Sequence, residues 1–563
     1  MTDDGREILG SAPKCPEPEP APLDAAARWR RRTLEDVVQL IMLKKKNTPE
    51  KTQQQQTPVD DTGRNSCFSG ATAVDNLDRD GSTLGLHPFT TNSSGQQGST
   101  VEPSHAENGN VMEAAGYATM SWWQCGMLMV AETISLGILT LPRAVADLGL
   151  VAGIIILVGM GLMATYTGHL IGQFALLHRG VQSMTEAGQI ILGKFGRLIC
   201  FWGANGFIIF IMGSHLLVFR KMLDALTDNR YCGMAWTALA FAISFILCMP
   251  RQCRKMFLLS TASFVSICAT VAIVITDIAI HQPRLQQEDG FEHGLRAWPK
   301  PGLPFHAYFN AVCNITFAYA GHVAFYVFIA ELRDPREFPK ALAFLQISDI
   351  TIYTLTGAII YVFARDNVKA PAIESASPLF VKIAYGVASV TIVIAGVING
   401  HVVAKALYKM YFCKRPEVMG ENTWRARMPW YAINGGLWLL AYLLAEAIPV
   451  FSNIVGLTGA LFASWFTFGI PALYWFHMAF SNTPEGEEEE KRRATIESWS
   501  DKVQRWRQVM MDWHRPTWLW FILNCLIVVM AMAICVIGIY TSARSIQDKA
   551  GSVGRPFSCR HGE

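Results

Sequence analysis

Charged side chains are scarce in this sequence. Only 17% of its 563 residues are Asp, Glu, Lys or Arg, and the formal net charge is +3. A balance this close to neutral does not indicate a nucleic-acid partner, which requires a strongly basic surface. The opening residues, MTDDGREILG, lack the basic and apolar regions of a cleaved signal peptide. We therefore expect the first membrane span to direct the chain to its membrane.

Cysteine patterns that bind metals are also missing. The 13 cysteines are scattered, with no CxxC pair and no Cys/His metal spacing, so no metal site and no metal cofactor are expected. Most of them fall in apolar runs, where cysteine behaves as a small hydrophobic residue. We place Cys232 and Cys559 outside the cell, either joined in a disulfide or as two unrelated thiols.

The mean hydropathy of +0.24 hides two different regions. Residues 1–115 are polar and rich in Pro, Gln, Ser and Gly, a composition typical of a disordered tail. Apolar runs then recur through residues 116–541, which we interpret as the membrane domain. Residues 542–563 form a short C-terminal tail. The fold class indicated is therefore an all-α integral membrane protein with a soluble N-terminal tail.

The apolar runs are long enough to cross the hydrocarbon core of a bilayer, which is about 30 Å thick. We count eleven of them. They are residues 121–148, 151–175, 198–220, 234–250, 256–280, 305–331, 341–363, 379–404, 430–449, 452–479 and 517–541.

Basic residues concentrate in the loops on one side. Lys and Arg cluster in loops 251–255, 405–428 and 480–516, all on the side of the N-terminal tail. By the positive-inside rule this side is cytoplasmic. Because the number of spans is odd, we expect the C-terminus to be extracellular. The lack of a signal peptide is compatible with the plasma membrane and with the vacuolar membrane.

Two spans are interrupted in a similar way. The first reads VAETISLGILTLPRAVADLG, with Gly137 near its middle and Pro142 five residues later, and the sixth reads NITFAYAGHVAFYVFIAEL, with Gly321 near its middle. Glycine lowers the cost of interrupting a helix, and proline cannot continue one. The interrupted spans are five apart, so a second unit of five helices would start on the opposite face. This predicts a 5+5 inverted repeat with broken first and sixth helices and a central binding site.

The expected chemistry follows from the free backbone groups at the breaks. A half-helix that starts near Leu139 presents N–H groups that suit a carboxylate, and half-helices that end near Thr133 and Ala318 present carbonyls that suit an ammonium. Such a site fits an amino acid, with Phe317 and Tyr319 shaping its side-chain pocket. The predicted substrate-binding residues are Thr133, Ile134, Ser135, Leu136, Gly137, Ile138, Leu139, Phe317, Ala318, Tyr319, Ala320 and Gly321.

Two ionisable residues beside the breaks are candidates for coupling. Glu132 could bind a proton that drives transport, or it could be a buried carboxylate that supports the broken helix. His322 could relay a proton, or its ring N–H could bond a free carbonyl of the break. Other polar residues within spans have a weaker claim. They are Asn205, His215, Asp349, Asn399 and His401.

Two motifs also carry a family resemblance. LGILTLPRAVADLG and FAYAGHVAFYVFIAELRDPREFPKAL resemble the first-helix and sixth-helix patterns of the amino acid/auxin permease family. The resemblance covers about residues 120–541 and is strongest to fungal neutral amino-acid permeases. It implies a LeuT-like fold of eleven helices, a plasma-membrane location and import of neutral aliphatic and aromatic amino acids, commonly by proton symport.

Alternative functions differ in the feature that supports them. Sodium coupling is the nearest alternative, but Ala131, Ser135 and Gly137 stand where animal members of the family often carry Asn and two Gly. An amino-acid-sensing receptor is favoured only by the long tail. An enzyme with His322 as a base would need a partner nucleophile, so no catalytic residue is predicted. The expected partners are a neutral amino acid and the lipid bilayer.

Overall fold

The computed structural model describes residues 120–178, 181–251, 256–288, 295–412, 423–448, 450–481 and 517–549. These ranges are helical apart from their connecting turns and one isolated bridge, between Met120 and Leu332. The predicted disordered tail, Cys559 and most of the three basic loops lie outside the described residues. Cys232 is disulfide-bonded.

The first span is divided into two helices. Helix α1 (Trp122–Thr133) follows the N-cap residue Ser121. The Ser121 N–H donates to the Gln124 side chain at 3.0 Å, which is one half of a capping box. A 3₁₀ turn, Leu136–Thr140, leads into α2 (Leu141–Leu148). The axes of the two halves differ by 42°.

A very short link joins the first two spans, as the sequence predicts. Gly149 is its only residue between α2 and α3 (Leu150–Leu177), with φ of +81°. A Cβ at Gly149 would lie 2.4 Å from the Trp298 carbonyl oxygen. Glycine is therefore required here both for its dihedral angle and for the close approach.

The remaining elements follow in chain order. They are α4 (Met184–Leu226), α5 (Gly233–Leu247), α6 (Met256–Glu288), α7 (Phe305–Ala318), a 3₁₀ turn (Ala320–Ala324), α8 (Phe325–Glu331), a 3₁₀ turn (Pro335–Glu337), α9 (Phe338–Ala364), two 3₁₀ turns (Arg365–Asn367 and Ala372–Ser375), α10 (Pro378–Tyr411), α11 (Trp424–Ala447), α12 (Phe451–Thr458), a π-helix (Gly459–Gly469), α13 (Ile470–Ser481) and α14 (Thr517–Lys549).

The number of spans is lower when judged by length and hydropathy. In the described part of the chain, eight helical segments qualify as membrane spans, or nine when the bent first pair counts as one. Helix α5 is apolar but has 15 residues, and α11 is not among those that qualify. The count of eleven therefore stays a prediction.

Two helices extend beyond the predicted spans. Helix α4 starts at Met184, where the Ser183 side chain accepts from the Glu186 N–H, and it kinks at Gly193 with φ of +62°. The predicted third span begins only after this kink. Helix α14 continues to Lys549, so its last turns occupy residues that we expected in the C-terminal tail.

Burial identifies the centre of the bundle. The sixth span, Phe305–Glu331, is 72% buried over its most apolar window, and the segment Phe451–Ala479 is 78% buried, whereas α14 is 28% buried. The interrupted sixth span is therefore an interior element that packs against protein. Irregular backbone in such a place can be shielded from lipid by its neighbours.

Candidate functional site

The first interruption is shorter than expected. Helix α1 ends at Thr133, and only Ile134 (ψ 80°) and Ser135 (φ −125°, ψ −124°) depart from helical geometry before the 3₁₀ turn begins. Pro142 lies in the first turn of α2, where its missing N–H would have no helical partner. The proline therefore starts the second half-helix, and the chain is already wound from Leu136 onward.

The second interruption is a change of winding. Helix α7 ends at Ala318, residues Ala320–Ala324 form a 3₁₀ turn, and α8 resumes at Phe325. This span is not bent by more than 40°, so a broken sixth helix is not confirmed. The two interruptions differ, because the first changes the direction of the helix and the second only tightens it.

The two glycines bring these interruptions together. A Cβ on Gly137 would lie 3.2 Å from the Ala318 Cα, and a Cβ on Gly321 would lie 2.7 Å from the Thr133 Oγ1. Neither glycine has a positive φ. Glycine is needed at both positions because it has no side chain, and not because its backbone angle is specific to glycine. Each glycine contacts the opposite interruption.

Tyr353, on α9, was not singled out from the sequence. Its hydroxyl lies 3.0 Å from the Thr133 carbonyl oxygen and 3.0 Å from the Ala318 carbonyl oxygen. These residues end α1 and α7, where backbone carbonyls lose their helical partners. A phenol has one proton to donate, so it bonds one carbonyl fully at a time. The carbonyl ends of both interruptions thus converge on one buried point.

Phe317 and Tyr319 do not shape a common pocket. The Phe317 ring packs edge-on against Phe207 of α4, with ring centroids 6.3 Å apart. Tyr319 lies on another side, where its hydroxyl donates to the Leu157 carbonyl of α3 at 3.0 Å and its ring contacts Tyr353. The prediction that both rings enclose the substrate side chain is therefore not supported by their placement.

An apolar cavity lies beside the first interruption instead. Its volume is about 190 Å³, and it is partly open and not fully enclosed by protein. It lies between the first span, α6 and α9. Its lining residues are Ile134, Ile138, Ile267, Cys268, Val271, Ala272, Ile275 and Ile352.

Glu132 joins the first span to α10. Its half-buried side chain interacts with the amide of Asn399, and the Asn399 Nδ2 also donates to the Ala395 carbonyl at 2.9 Å. The carboxylate therefore has a neutral hydrogen-bonding neighbour on a different helix. Both predicted roles, proton binding and support of the broken helix, need such a position.

His322 is completely buried. Its Nε2 lies 2.8 Å from the Ala164 carbonyl oxygen of α3 and 3.4 Å from the Thr167 hydroxyl. Its Nδ1 faces the Tyr319 backbone without a well-formed hydrogen bond in the described structure. The Nε2 bond reaches an intact helix and not a free carbonyl of the break. His322 thus fastens the 3₁₀ turn to α3.

The predicted site residues form one connected region. Most of them are buried, with Thr133, Phe317 and Gly321 half-buried. The buried members are Ile134, Ser135, Leu136, Gly137, Ile138, Leu139, Ala318, Tyr319 and Ala320. Two of the weaker candidates bond backbone carbonyls, since Asn205 donates to Phe201 at 2.7 Å and the His215 ring lies 2.9 Å from the Ile392 carbonyl oxygen.

Comparison with known proteins identifies relatives of one kind. The family model described as transmembrane amino acid transporter protein matches residues 118–496. The N amino acid transport system protein of Neurospora crassa is 34% identical over 450 residues, covering 79% of this chain and 89% of that protein. The amino acid transporter AVT1H of Arabidopsis thaliana is 24% identical over 385 residues, covering 66% and 84%.

Solved structures also align with the chain. Mhp1, a nucleobase–cation symport transporter captured with bromovinylhydantoin in a closed conformation, covers 77% of this chain and 94% of its own length. Its sequence identity is 14% and the TM-score is 0.44.

Proposed function

This chain belongs to the transmembrane amino acid transporter family, and from that premise we propose that it is a secondary active transporter importing neutral amino acids with protons. It is a multi-pass membrane protein, and its relatives are transporters. The prediction that it is not an enzyme is confirmed by that family membership. The substrate class, the direction and the coupling ion are the proposal.

One observation carries the proposal, which is the convergence of both interrupted spans. The Thr133 and Ala318 carbonyl oxygens lie 3.0 Å from one hydroxyl, that of Tyr353. An ammonium group has three donors, so it can bond both carbonyls at once, which a phenol cannot. The ammonium of an amino acid is proposed to bind at these carbonyls.

The carboxylate of the substrate is proposed to bind across the first interruption. There the chain rewinds at Leu136 after two non-helical residues, and the first N–H groups of a helical segment lack carbonyl partners. The Ser135 hydroxyl is buried and has no hydrogen-bond partner in the described part of the chain. Hydroxyl and backbone N–H together can donate to a carboxylate.

The apolar cavity supports a preference for neutral side chains. Only aliphatic side chains and the Cys268 thiol line it, so a charged side chain would lose its hydration there without gaining a partner. Its volume of about 190 Å³ suits an aliphatic or aromatic side chain. Because it borders Ile134 and Ile138, a substrate held at the interruption would lie next to it.

Proton coupling is proposed through Glu132 and His322. Glu132 lies one residue before Thr133 and interacts with Asn399 of α10, so its charge bears on the contact between two spans. His322 follows Gly321, which contacts Thr133. A proton taken up at either residue would therefore act on the backbone that is proposed to hold the substrate.

The membrane arrangement is also part of the proposal. We take the fold as a LeuT-like 5+5 inverted repeat of eleven helices, which alternates access to the central site from either side. The basic loops place the N-terminus in the cytoplasm and the C-terminus outside. The location proposed is the plasma membrane, with the vacuolar membrane as the alternative.

Uptake into liposomes containing the purified protein tests this function. A labelled neutral amino acid should accumulate when the outside is made acidic in sodium-free buffer, and a proton ionophore should abolish the accumulation. Lysine and glutamate should not compete for uptake. Accumulation that needs sodium and ignores the proton gradient would replace proton coupling by sodium coupling. Binding without any uptake would favour a receptor.

A substitution in the cavity tests whether the cavity holds the substrate side chain. Cys268→Phe should fill part of the cavity, so that leucine and phenylalanine lose affinity while alanine is still transported. Cys525→Phe is the matched control, because Cys525 is also a half-buried free thiol and does not line the cavity. Equal loss for small and large substrates would show that the cavity does not hold the side chain.

A further inference from the structure

Asp349 occupies an exceptional position near the middle of α9. Its side chain is completely buried, and neither carboxyl oxygen has a hydrogen-bond partner among the described residues. The helix around it is apolar, in the stretch LAFLQISDITIYTLTGAIIYVF. An ionised carboxylate cannot remain in such surroundings without a partner. In the arrangement described here, Asp349 must therefore carry a proton or hold a cation.

The groups that face Asp349 are two phenols. Tyr319, between α7 and the 3₁₀ turn, and Tyr353, one turn further along α9, both interact electrostatically with it. Helices α1, α2, α3 and α6 also pack against α9. In the described part of the chain, none of them directs a charged side chain towards the carboxyl group. No basic group therefore compensates a negative charge at this position.

The same geometry favours a proton over a metal ion. Sodium, like other hard cations, binds to several oxygen atoms at once. Among the described residues, no group of three or more His, Cys, Asp or Glu side chains is placed to hold a metal ion, so a metal ion here would find one carboxylate and no second acidic ligand. A proton needs a single oxygen, and its binding removes the charge that burial opposes.

Asp349 is also connected to the proposed substrate site. Tyr353 lies four residues after Asp349, on the same face of α9, and its hydroxyl reaches the Thr133 and Ala318 carbonyl oxygens. Tyr319 follows Ala318 directly and packs edge-on against Tyr353, with ring centroids 5.3 Å apart. A change of charge at Asp349 therefore acts on the hydroxyl that joins the two interruptions.

We propose that Asp349 takes up a coupling proton, in addition to the site at Glu132, and that its protonation permits the closed arrangement of the two interrupted spans. The proton binds one carboxyl oxygen when the site is open to water on one side, and it leaves to water when the site opens on the other. The ionised form is stable only when hydrated, so it holds the transporter open. This inference rests on the proposed function of proton-coupled transport.

The test compares two modes of transport in liposomes containing purified protein. Asn is nearly isosteric with a protonated Asp, so Asp349→Asn should keep the exchange of labelled for unlabelled substrate. Accumulation driven by an acidic exterior should fall well below that of the wild type, and the exchange should vary less with pH, because only the site at Glu132 can still take up a proton. A variant that still accumulates substrate like the wild type would overturn the proposal.

Asp277→Asn is the matched control. Asp277 is also a buried acid on a membrane helix, but it accepts from the Ser377 N–H at 2.6 Å and from the Ser377 hydroxyl at 2.8 Å. A partnered carboxylate has no need of a proton in order to be buried, so this variant should retain accumulation driven by the proton gradient. Loss of the gradient response in both variants alike would overturn a specific role for Asp349.

A second variant decides the matter if the Asn protein does not reach the membrane. Asp349→Glu retains a titrating carboxyl in a changed position, so it should keep accumulation but with a shifted pH midpoint. An unchanged midpoint would overturn the proposal.

Wild-type protein without uptake would instead overturn the proposed function. Sodium-driven accumulation that Asp349→Asn abolishes would assign the carboxylate to a metal cation, and the proton would be excluded.

Discussion

Tyr353 is the residue that joins the two interruptions through hydrogen bonds. The sequence gives no sign of this role, because a tyrosine in an apolar span matches no helix-breaking pattern. Its two carbonyl partners lie 220 and 35 residues away along the chain, and periodicity reports only neighbours within a helix. Contacts of this kind appear only when the helices are packed.

Tyr353→Phe tests whether the Thr133 and Ala318 carbonyls can bind a substrate ammonium, because it removes the hydroxyl that lies between them. In Tyr353→Phe, the Thr133 and Ala318 carbonyls lose the one proton that they share, while the Ser135 N–H still donates to the Thr133 carbonyl at 3.0 Å. A buried group left unsatisfied costs about 1–3 kcal/mol. We expect a lower thermal midpoint for the purified protein without substrate. If the ammonium binds at these carbonyls, substrate should raise the thermal midpoint of Tyr353→Phe by more than it raises the midpoint of the wild type.

Tyr385→Phe controls for the loss of any buried phenol. Its hydroxyl lies 3.3 Å from a Glu374 carboxylate oxygen, away from both interruptions. This variant should also melt earlier, but the increase that substrate adds should equal that of the wild type. Equal substrate effects in both variants would show that Tyr353 does not stand at the ammonium site.

Glu132 gives a second prediction at the scale of single residues. Glu132→Gln keeps a polar side chain that can still bond Asn399, but it removes the titrating group. Uptake should therefore respond less to external pH, because the Gln side chain neither binds nor releases a proton and so cannot couple uptake to the proton gradient. Initial rates measured over a range of external pH would check this. An unchanged profile would leave Glu132 as a structural support.

At the scale of helices, the sequence located the interruptions better than it explained them. Gly137, Pro142 and Gly321 lie in segments where the described helices change, since α1 and α7 end at Thr133 and Ala318, but a broken sixth helix is not confirmed. The reason was different in each case. Pro142 starts a half-helix, and the two glycines allow one interruption to approach the other. Approach between spans depends on tertiary packing, which a single-span pattern does not contain.

Gly321→Ala tests whether close approach is what the glycine provides. A Cβ at this position would lie 2.7 Å from the Thr133 Oγ1, so the two interruptions must separate or Thr133 must move. We expect uptake to fall strongly while the protein still reaches the membrane. Adding Thr133→Ala removes the hydroxyl that the new Cβ would meet. The double variant should therefore take up more substrate than Gly321→Ala alone, up to the level of the Thr133→Ala single variant.

Gly159→Ala is the matched control on α3. A Cβ there would meet no atom within 4 Å, and alanine is preferred to glycine inside helices by about 0.8–1.0 kcal/mol. This variant should transport normally and be slightly more stable. If Gly321→Ala were equally harmless, the contact between the interruptions would not matter for uptake.

At the scale of the whole molecule, backbone hydrogen bonds tie the first and sixth spans together at one end. The Met120 N–H donates to the Glu331 carbonyl at 3.1 Å, and the Arg333 N–H donates to the Met120 carbonyl at 2.9 Å. This parallel bridge joins the start of the first span to the end of the sixth. Apolar periodicity could not predict it, because backbone pairing between distant segments leaves no mark on side-chain pattern.

The other end of the same spans is also closed. The Leu150 and Val151 N–H groups donate to the Arg296 and Ala297 carbonyls at 2.8 and 3.0 Å. The segment before the sixth span is thus fastened to the link after the first. A transporter that alternates access must release one of these two contacts at a time. The proposed orientation places the Met120 bridge on the cytoplasmic side, so its release would open the site to the cytoplasm.

A disulfide across the Met120 bridge should therefore block transport. Met120 and Leu332 are directly paired in the bridge, and paired positions lie within the Cα separation that a disulfide tolerates, about 4.4–6.8 Å. In the double variant Met120→Cys and Leu332→Cys, oxidation should stop uptake and reduction should restore it. Each single variant and the wild type, carried through the same oxidation and reduction, control for the native disulfide at Cys232.

Because the disulfide holds only one end of the two spans, substrate should still bind from the outside. Saturable binding without uptake is therefore the expected result. Full uptake by the cross-linked protein would mean that the bridge stays closed throughout the cycle and that substrate leaves by another route.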